Sequence, residues 1–236
     1  MPDDAPTADA IRIEGLRFAW PGHPPVLSID GFTLARSEKL FLRGPSGSGK
    51  STLLGLIAGV LTPQAGRIEV LGHDLTALGA AGRDRIRADH LGVIFQMFNL
   101  VPYLSVTGNV TLPLLFSPAR RKAAGADAEE EARRLLGRLG LTDSKLLERR
   151  VSDLSVGQQQ RVAAARALMG GPEIVIADEP TSALDADARD RFIELLSEEA
   201  SRTGAALLFV SHDASLARLF DRAVDLSEIN KAGVTA

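Results

Sequence analysis

The sequence predicts an α/β protein with a mixed core sheet, an antiparallel β sub-domain and an inserted helical sub-domain. Two continuous apolar runs, 174–177 and 207–210, are separated by a helix predicted over 187–201, which is typical of parallel strands buried on both faces. A glycine-rich loop at 44–50 joins a third apolar run to another predicted helix. A loop of this kind at the carboxyl end of a parallel strand indicates a phosphate-binding fold.

Composition and charge exclude several classes of protein. The chain has 236 residues, enough for one large domain with a sub-domain, and no cysteine, so a disulfide framework and a thiolate metal site are excluded. The net charge is −3 and the basic residues are scattered among carboxylates, which argues against nucleic-acid binding. The short basic patch 120–122 is interpreted as solvated surface.

The N-terminal segment and the apolar runs predict a cytoplasmic protein. Residues 1–10 are acidic and rich in proline and alanine, which predicts a disordered segment and differs from a secretory signal. The apolar runs are much shorter than the about 18 residues that a membrane-spanning helix needs. We therefore expect no part of the chain to cross a membrane unaided.

Alternating apolar and polar residues predict the antiparallel strands. One strand is predicted over 11–20 and a second over 27–34, with a turn at Asp30-Gly31. Residues 66–72 predict a short strand, and 91–95 predict a buried one.

Helical spacing identifies the inserted region. Residues 128–139 place apolar side chains on one helical face and charged ones on the others, and the alanine-rich stretch 157–168 predicts a further helix. The expected divisions are a core of 11–95 with 172–226, a helical region of 96–171 and a C-terminal tail of 227–236.

The loop that follows the third apolar run fits the pattern G-x-x-x-x-G-K-[ST]. Glycines let backbone N–H groups approach a phosphate closely, and the N-terminus of the next helix adds donors. Lys50 is predicted to reach the β- and γ-phosphates, and Ser51 to offer its hydroxyl to Mg²⁺. The predicted nucleotide contacts of the loop are Gly44, Ser46, Gly47, Ser48, Gly49, Lys50, Ser51 and Thr52. A glycine- and serine-rich connection with a purely structural role is the alternative.

Two acidic residues follow the apolar run 174–177. Asp178 stands at the carboxyl end of a predicted parallel strand, beside the phosphate loop of a doubly wound sheet, where it can hold Mg²⁺ through water. Glu179 is placed to orient or deprotonate an attacking water and is the predicted general base. A turn rich in acidic residues and proline is the alternative.

The most specific motif is Leu154-Ser-Val-Gly-Gln-Gln-Gln-Arg161, at the start of a predicted helix. It resembles the signature of the ATP-binding-cassette (ABC) ATPases, P-loop NTPases with an ABC-type antiparallel β sub-domain, a RecA-like core and an inserted helical sub-domain. Other landmarks fall in the family's order: Gln96 resembles the Q-loop, 182–185 the D-loop and His212 the switch histidine. The resemblance covers about 11–226.

The resemblance implies an ATPase that binds ATP and Mg²⁺. The implied metal contacts are Ser51, Gln96 and Asp178. The implied catalytic residues are Glu179 and His212. Trp20 lies where the family stacks an aromatic ring on adenine. The further implied nucleotide contacts, beside Gln96, are Ser155, Gly157, Gln158 and Asp185.

The signature also predicts a homodimer. Ser155, Gly157 and the helix after them form a second anion site, which one nucleotide does not need from one face of one chain. A two-fold dimer resolves this, since each ATP then lies between the phosphate loop of one copy and the signature helix of the other.

Three positions depart from the family pattern. Val156 replaces the glycine commonest at the third signature position, and a β-branched residue is tolerable there only at negative φ. Gly108 stands where many relatives carry glutamate. The usual Asp-Gly turn is missing after Leu226, so the last hairpin is expected to be short or absent.

The apolar run 95–116 resembles the lipoprotein-release, macrolide-export and cell-division branch of bacterial cassette ATPases. The resemblance implies that an integral membrane permease subunit docks near Gln96 to Phe116 and holds the chain at the inner face of the cell membrane. The predicted docking side chains are Met97, Phe98, Leu100 and Tyr103. The alternative is that this run forms the core of the helical sub-domain.

The implied function is ATP-driven export or extraction of a substrate held by the membrane subunit. A regulatory ATPase of the cell-division type, which signals across the membrane without moving cargo, is the alternative. A soluble cassette ATPase of cofactor assembly or DNA maintenance is a third possibility, and the lack of long coiled-coil insertions argues against DNA maintenance.

Overall fold

The computed structural model describes residues 9–181 and 184–232 and places their strands in two sheets. The strands in chain order are β1 (Asp9–Ala19), β2 (Pro25–Ala35), β3 (Lys39–Arg43), β4 (Ala65–Val70), β5 (His73–Asp74), β6 (Leu91–Ile94), β7 (Ile174–Asp178), β8 (Ala206–Val210) and β9 (Arg222–Asp225). The α-helices are α1 (Lys50–Ile57), α2 (Ala80–His90), α3 (Val106–Thr111), α4 (Pro118–Ala123), α5 (Ala128–Arg138), α6 (Val156–Leu168), α7 (Ala186–Thr203) and α8 (Leu226–Ile229). The 3₁₀ turns are Leu112–Leu115, Ser144–Leu146, Val151–Asp153 and Ala214–Leu219.

The antiparallel sheet has the strand order β2-β1-β4-β5. The turn predicted at Asp30-Gly31 is wrong, because β2 continues through both residues and Gly31 pairs with Glu14 of β1. Pairing with β1 outweighs the local turn signal, and the Asp30 carboxylate lies 2.9 Å from Arg17 on the neighbouring strand.

The core sheet has the strand order β6-β7-β8-β3-β9, and all four of its ladders are parallel. The sequence predicts a mixed core sheet, but antiparallel pairing among the described strands is confined to the other sheet. Crossover connections through helices such as α7 bring consecutive core strands into the same direction. The phosphate loop follows β3, Asp178 ends β7 and His212 follows β8, so all three stand at the carboxyl edge of this parallel sheet.

The helices between β6 and β7 pack around a shared apolar core. As predicted, α5 is amphipathic and buries Ala132, Leu135 and Leu136. Its partners in the core include Val110 of α3 and Val162 of α6. Burying each large apolar side chain contributes about 1.5–3 kcal/mol, so this packing fixes α6 and the signature at its start.

Arg120 is buried, contrary to the interpretation of 120–122 as solvated surface. Its guanidinium donates to the carbonyl oxygens of Met169, Ala167 and Leu91, at 2.7, 2.7 and 3.2 Å. The bonds to Ala167 and Met169 satisfy carbonyl groups at the C-terminal end of α6, where no intrahelical partner remains, and the bond to Leu91 joins the same guanidinium to β6. Burial lowers the pKa of Arg120 to about 10.

Candidate active site

The glycine-rich loop connects β3 to α1 and turns sharply at two glycines. Gly47 and Gly49 have φ values of 78° and 99°, which glycine adopts at little cost. A β-carbon at Gly49 would lie 2.8 Å from Leu27 Cδ2, so the loop also presses against β2. Among the described residues, no side chain caps the N-terminus of α1. Its first backbone N–H groups therefore remain available to an anion.

Lys50 is the first residue of α1 and is buried. Its ammonium donates to the carbonyl oxygens of Gly44 and Pro45 at 2.8 and 3.0 Å and lies 3.8 Å from Glu179 Oε1. The loop thus holds a positive charge at its own centre, with carbonyl groups and one carboxylate around it.

Ser51 and Asp178 meet across the site, as the sequence predicts for two ligands of one metal. Ser51 Oγ donates to Asp178 Oδ2 at 3.1 Å. Burial raises the pKa of Asp178, and the nearby charge of Glu179 raises it further, whereas the Ser51 hydrogen bond and Lys50 oppose the shift. A hard cation prefers such oxygen ligands and would relieve the cost of the buried charge. Gln96 lines the same cavity.

Glu179 and His212 form a second pair. Glu179 has a left-handed φ of 45°, and its N–H donates to the Val210 carbonyl oxygen at 2.9 Å. A non-glycine residue in this conformation costs about 1–3 kcal/mol, so the surrounding structure holds it there. Its Oε2 lies 2.8 Å from Nδ1 of His212, the residue that follows the end of β8 by two positions. The carboxylate is thereby fixed between an imidazole and Lys50.

These groups share one open cavity of about 740 Å³. It is lined by Trp20, Val26, Ser46, Gly47, Gly49, Lys50, Ser51, Thr52, Gln96, Asp178, Glu179 and His212. Gly44 is buried behind it, and the described residues offer no hydrogen-bond partner to the buried Ser48 Oγ. Sequence reasoning missed Val26, since it belongs to no motif and reaches the cavity only because β2 packs against the loop.

Trp20 is 43% exposed at the mouth of the cavity. Its ring packs edge-to-face on Phe18, with centroids 5.1 Å apart and an interplanar angle of 88°. An aromatic ring held in this way offers an open face on which a planar base can stack.

The signature residues lie outside this cavity. Ser155 caps α6, since its Oγ accepts from Gln158 N at 3.3 Å while Gln158 Oε1 accepts from Ser155 N at 2.9 Å. Gly157 and Val156 begin the helix, and Val156 has a negative φ, the condition under which a β-branched residue is tolerable. The reciprocal bonds occupy two of the free donors of α6.

The predicted D-loop is only partly described. Ser182 and Ala183 lie outside the described residues. Asp185 caps α7, where its carboxylate accepts from Ala188 N at 2.8 Å, and it does not line the nucleotide cavity.

An apolar groove of about 830 Å³ lies beside the segment that follows Gln96. The segment contributes Asn99, Leu112, Pro113 and Phe116 to the groove, Phe95 lines it from the position before Gln96, and α2, α4 and α6 supply much of the rest. Met97 and Tyr103 are 81% and 76% exposed, whereas Phe98 and Leu100 pack against the core. Phe98 and Leu100 therefore belong to the core, as the second interpretation of this run expects, whereas Met97 and Tyr103 do not.

Arg166 of α6 fixes the turn beside the groove. Its guanidinium donates to the carbonyl oxygens of Phe98 and Asn99, both at 2.6 Å. Those two residues have left-handed φ values of 59° and 49°. Burial lowers the pKa of Arg166. A buried charge thus holds two strained residues next to the metal candidate Gln96.

Comparison with known proteins identifies the family of the chain. The family model described as "ABC transporter" matches residues 27–182. The lipoprotein-releasing system ATP-binding protein LolD of Anaeromyxobacter dehalogenans (strain 2CP-C) is 41% identical over 225 residues, which are 95% of this chain and 92% of that protein. The macrolide export ATP-binding/permease protein MacB of Rhodopseudomonas palustris (strain HaA2) is 38% identical over 92% of this chain but only 33% of its own length.

Solved structures show the same fold. The dimeric bacterial ABC transporter cassette MJ0796 superposes with a TM-score of 0.80 at 31% identity, over 91% of this chain and 93% of that one. Its post-hydrolysis state bound to ADP and Pi also gives a TM-score of 0.80, at 32% identity and the same coverage. Within residues 9–181 and 184–232, no helix combines the length and apolar character that crossing a membrane requires. The chain belongs to the ABC transporter family and is one of its ATP-hydrolysing cassettes.

Proposed function

We propose that this chain hydrolyses ATP as a homodimer and thereby drives a separate membrane subunit in export or extraction of a substrate. The observation that carries the proposal is one cavity that holds Lys50, the Ser51–Asp178 pair and the Glu179–His212 pair. The proposed division is a core of 11–95 with 172–226 and a helical region of 96–171.

The phosphate loop and α1 bind the triphosphate. Lys50 exchanges its bonds to the Gly44 and Pro45 carbonyl oxygens for phosphate oxygens, which compensate its charge better. Trp20 stacks on the adenine ring. Ser51, Asp178 and Gln96 would hold Mg²⁺, which would neutralise charge on the phosphates.

Glu179 is the proposed general base. Its carboxylate is anchored by His212 at 2.8 Å and stands 3.8 Å from Lys50, so its orientation is fixed before a substrate water arrives. A fixed base loses little entropy on reaching the reactive geometry. His212 is 65% exposed and accessible to the γ-phosphate, so it acts both as a phosphate contact and as the partner that orients Glu179.

Dimerisation completes each site with a signature helix. The N-terminus of α6 is exposed, lies outside the cavity of its own chain and carries an exposed apolar residue, Val156. The solved structure of the related cassette is described as dimeric. Ser155, Gly157, Gln158 and Asp185 would therefore contact ATP from the second copy.

The apolar groove is the proposed docking site for a cytoplasmic helix of the membrane subunit. It adjoins Gln96, and Arg166 holds the intervening turn, so a shift of Gln96 on nucleotide binding can reach the groove. The chain would then lie at the inner face of the membrane through its partner. Transport is favoured over signalling without cargo because the relatives are named for lipoprotein release and macrolide export.

Co-purification with a candidate membrane subunit tests the docking proposal. Phe116→Ser removes an exposed ring from the groove and should abolish co-purification, while ATP turnover of the isolated chain stays within about twofold of the wild type. Val60→Ser, which removes an apolar side chain that is 64% exposed and lies outside the groove, is the matched control and should change neither property. Unchanged co-purification of Phe116→Ser would place the docking site elsewhere.

A further inference from the structure

The segment after β9 supports the phosphate loop from the side opposite the cavity. The sequence predicts a tail from 227 onward, but α8 follows β9 directly, and Asn230 forms a bridge with Ile29 of β2. Leu226 is fully buried, and a β-carbon at Gly44 would lie 3.4 Å from Leu226 Cβ. Asp225 pairs with Arg43, the residue before Gly44, at 3.0 Å. The first residue of the loop therefore packs on the start of this segment.

Asn230 reaches the other end of the same loop. Its Nδ2 donates to the Val26 carbonyl oxygen at 2.9 Å and lies 3.5 Å from the Ser48 carbonyl oxygen. Its Oδ1 accepts from Ser28 N at 2.8 Å. One partly buried amide thus bonds to two residues of β2 and approaches the loop itself.

Val26 connects Asn230 to the nucleotide cavity. Its side chain lines the cavity, and a β-carbon at Gly49 would lie 3.3 Å from Val26 Cγ1. Because Gly49 has a left-handed φ and immediately precedes α1, a shift of β2 at this point would move the donors at the start of α1.

We propose that Asn230 is a positioning residue of the nucleotide site, which holds the phosphate loop against β2 through its bonds to Val26 and Ser28 and its approach to Ser48. The proposal rests on the assignment of the loop as the nucleotide site. Asn230 touches neither the cavity nor the reacting atoms, so it acts on affinity through the loop and leaves the chemical step unchanged.

Nucleotide affinity and turnover should therefore respond differently to two variants. Asn230→Ala removes the contacts to Val26, Ser28 and Ser48 and also the bond that Oδ1 accepts from Ala232 N at 3.0 Å. Asn230→Asp keeps an oxygen that accepts from Ser28 and Ala232 but turns a second oxygen toward the carbonyl groups of Val26 and Ser48. Both should raise the dissociation constants of ADP and ATP about five- to tenfold, as expected for the loss of one or two hydrogen bonds, with kcat within about twofold of the wild type.

Lys231→Ala is the matched control in the same segment. It removes an exposed ion pair, 2.5 Å from Asp30, and should leave both dissociation constants and kcat unchanged. Unchanged dissociation constants in both Asn230 variants, with or without a lower Tm, would overturn the proposal. If Asn230→Ala does not fold, Asn230→Asp decides the question by itself. Normal nucleotide affinity in Lys50→Ala would instead contradict the site assignment.

Discussion

Two helix N-termini are proposed to meet ATP, and they differ in what already occupies their backbone donors. The N-terminus of α1 has no side-chain cap and opens onto the cavity, whereas that of α6 is closed by the reciprocal bonds of Ser155 and Gln158. An uncapped end is ready for an anion, while a capped end is stable by itself and must exchange a bond for a ligand. In the proposed dimer, the phosphate loop would thus be preorganised within one chain, and the signature would depend on a second chain to bring the nucleotide to it.

The largest expected effect is a loss of ATP turnover when the α1 site loses its proposed general base. Glu179→Gln keeps the shape of the side chain but cannot accept a proton, so ATP turnover should fall by about 10² to 10⁴. Bound ATP would persist, and the variant should elute as a dimer with ATP and Mg²⁺ and as a monomer without nucleotide. Phosphate release and size-exclusion chromatography measure the two properties.

Glu173→Gln is the control for that change. Glu173 precedes β7, at the end opposite Asp178, and contacts His90 rather than the site. ATP turnover of the Glu173→Gln variant should match that of the wild type. A Glu179→Gln chain that retains more than about a tenth of wild-type turnover would show that another group accepts the proton.

The next effect tests whether α1 binds nucleotide within a single chain. Lys50→Ala removes a buried charge from the centre of the loop, so ATP affinity measured by calorimetry should fall by well over tenfold. Lys145→Ala removes an exposed charge from a different region and should leave affinity unchanged. Equal affinity in the two variants would contradict the assignment of the loop.

A smaller effect distinguishes the role of the α6 N-terminus from that of the α1 N-terminus. Ser155→Ala removes the α6 cap, and it should lower turnover and ATP-dependent dimer formation several-fold while the monomer keeps its ATP affinity. Ser105→Ala removes a comparable cap from α3, where Ser105 Oγ accepts from Gly108 N at 3.0 Å. Either change should destabilise the fold by about 0.5–2 kcal/mol. If Ser105→Ala lowers turnover equally, general destabilisation explains the loss.

The smallest effect is on thermal stability, and it concerns the Asp178 carboxylate of the nucleotide-free site. Because the pKa of Asp178 is raised in the folded chain, its contribution to stability is fully present below about pH 4 and is lost as pH rises through that raised pKa. Asp178→Asn removes this penalty, so the nucleotide-free variant should melt a few degrees higher than the wild type at pH 7. The difference in Tm should vanish as the pH is lowered. A lower Tm at pH 7 would mean that the Ser51 contact outweighs the cost of burial.

The fold and the α1 site were largely predictable from the sequence. Local patterns identify the loop at 44–52, the strands before Asp178 and His212, and the amphipathic α5, because each depends on periodicity or a fixed spacing. The contact between Glu179 and His212 was not predicted; the structure brings them together because they stand at the ends of the neighbouring parallel strands β7 and β8.

The features that sequence reasoning missed depend on contacts between distant segments. Arg120 looks like surface in a run of basic residues, and only the fold brings it to the end of α6. Val26 and Asn230 lie 204 positions apart and carry no motif. The predicted turn at Asp30-Gly31 failed for the same reason, because a partner strand outweighed a local preference.

The two hydrogen bonds of Arg166 constrain any transplant of the groove segment 95–116 into a related cassette. A guanidinium can bond two successive carbonyl oxygens at 2.6 Å, which a lysine ammonium does not reproduce in the same planar geometry. The left-handed turn at Phe98 and Asn99 and the arginine in α6 therefore form one structural unit, although 67 positions separate Asn99 from Arg166. A chimera that transplants 95–116 to redirect a cassette to a new membrane protein would have to carry α6 with it.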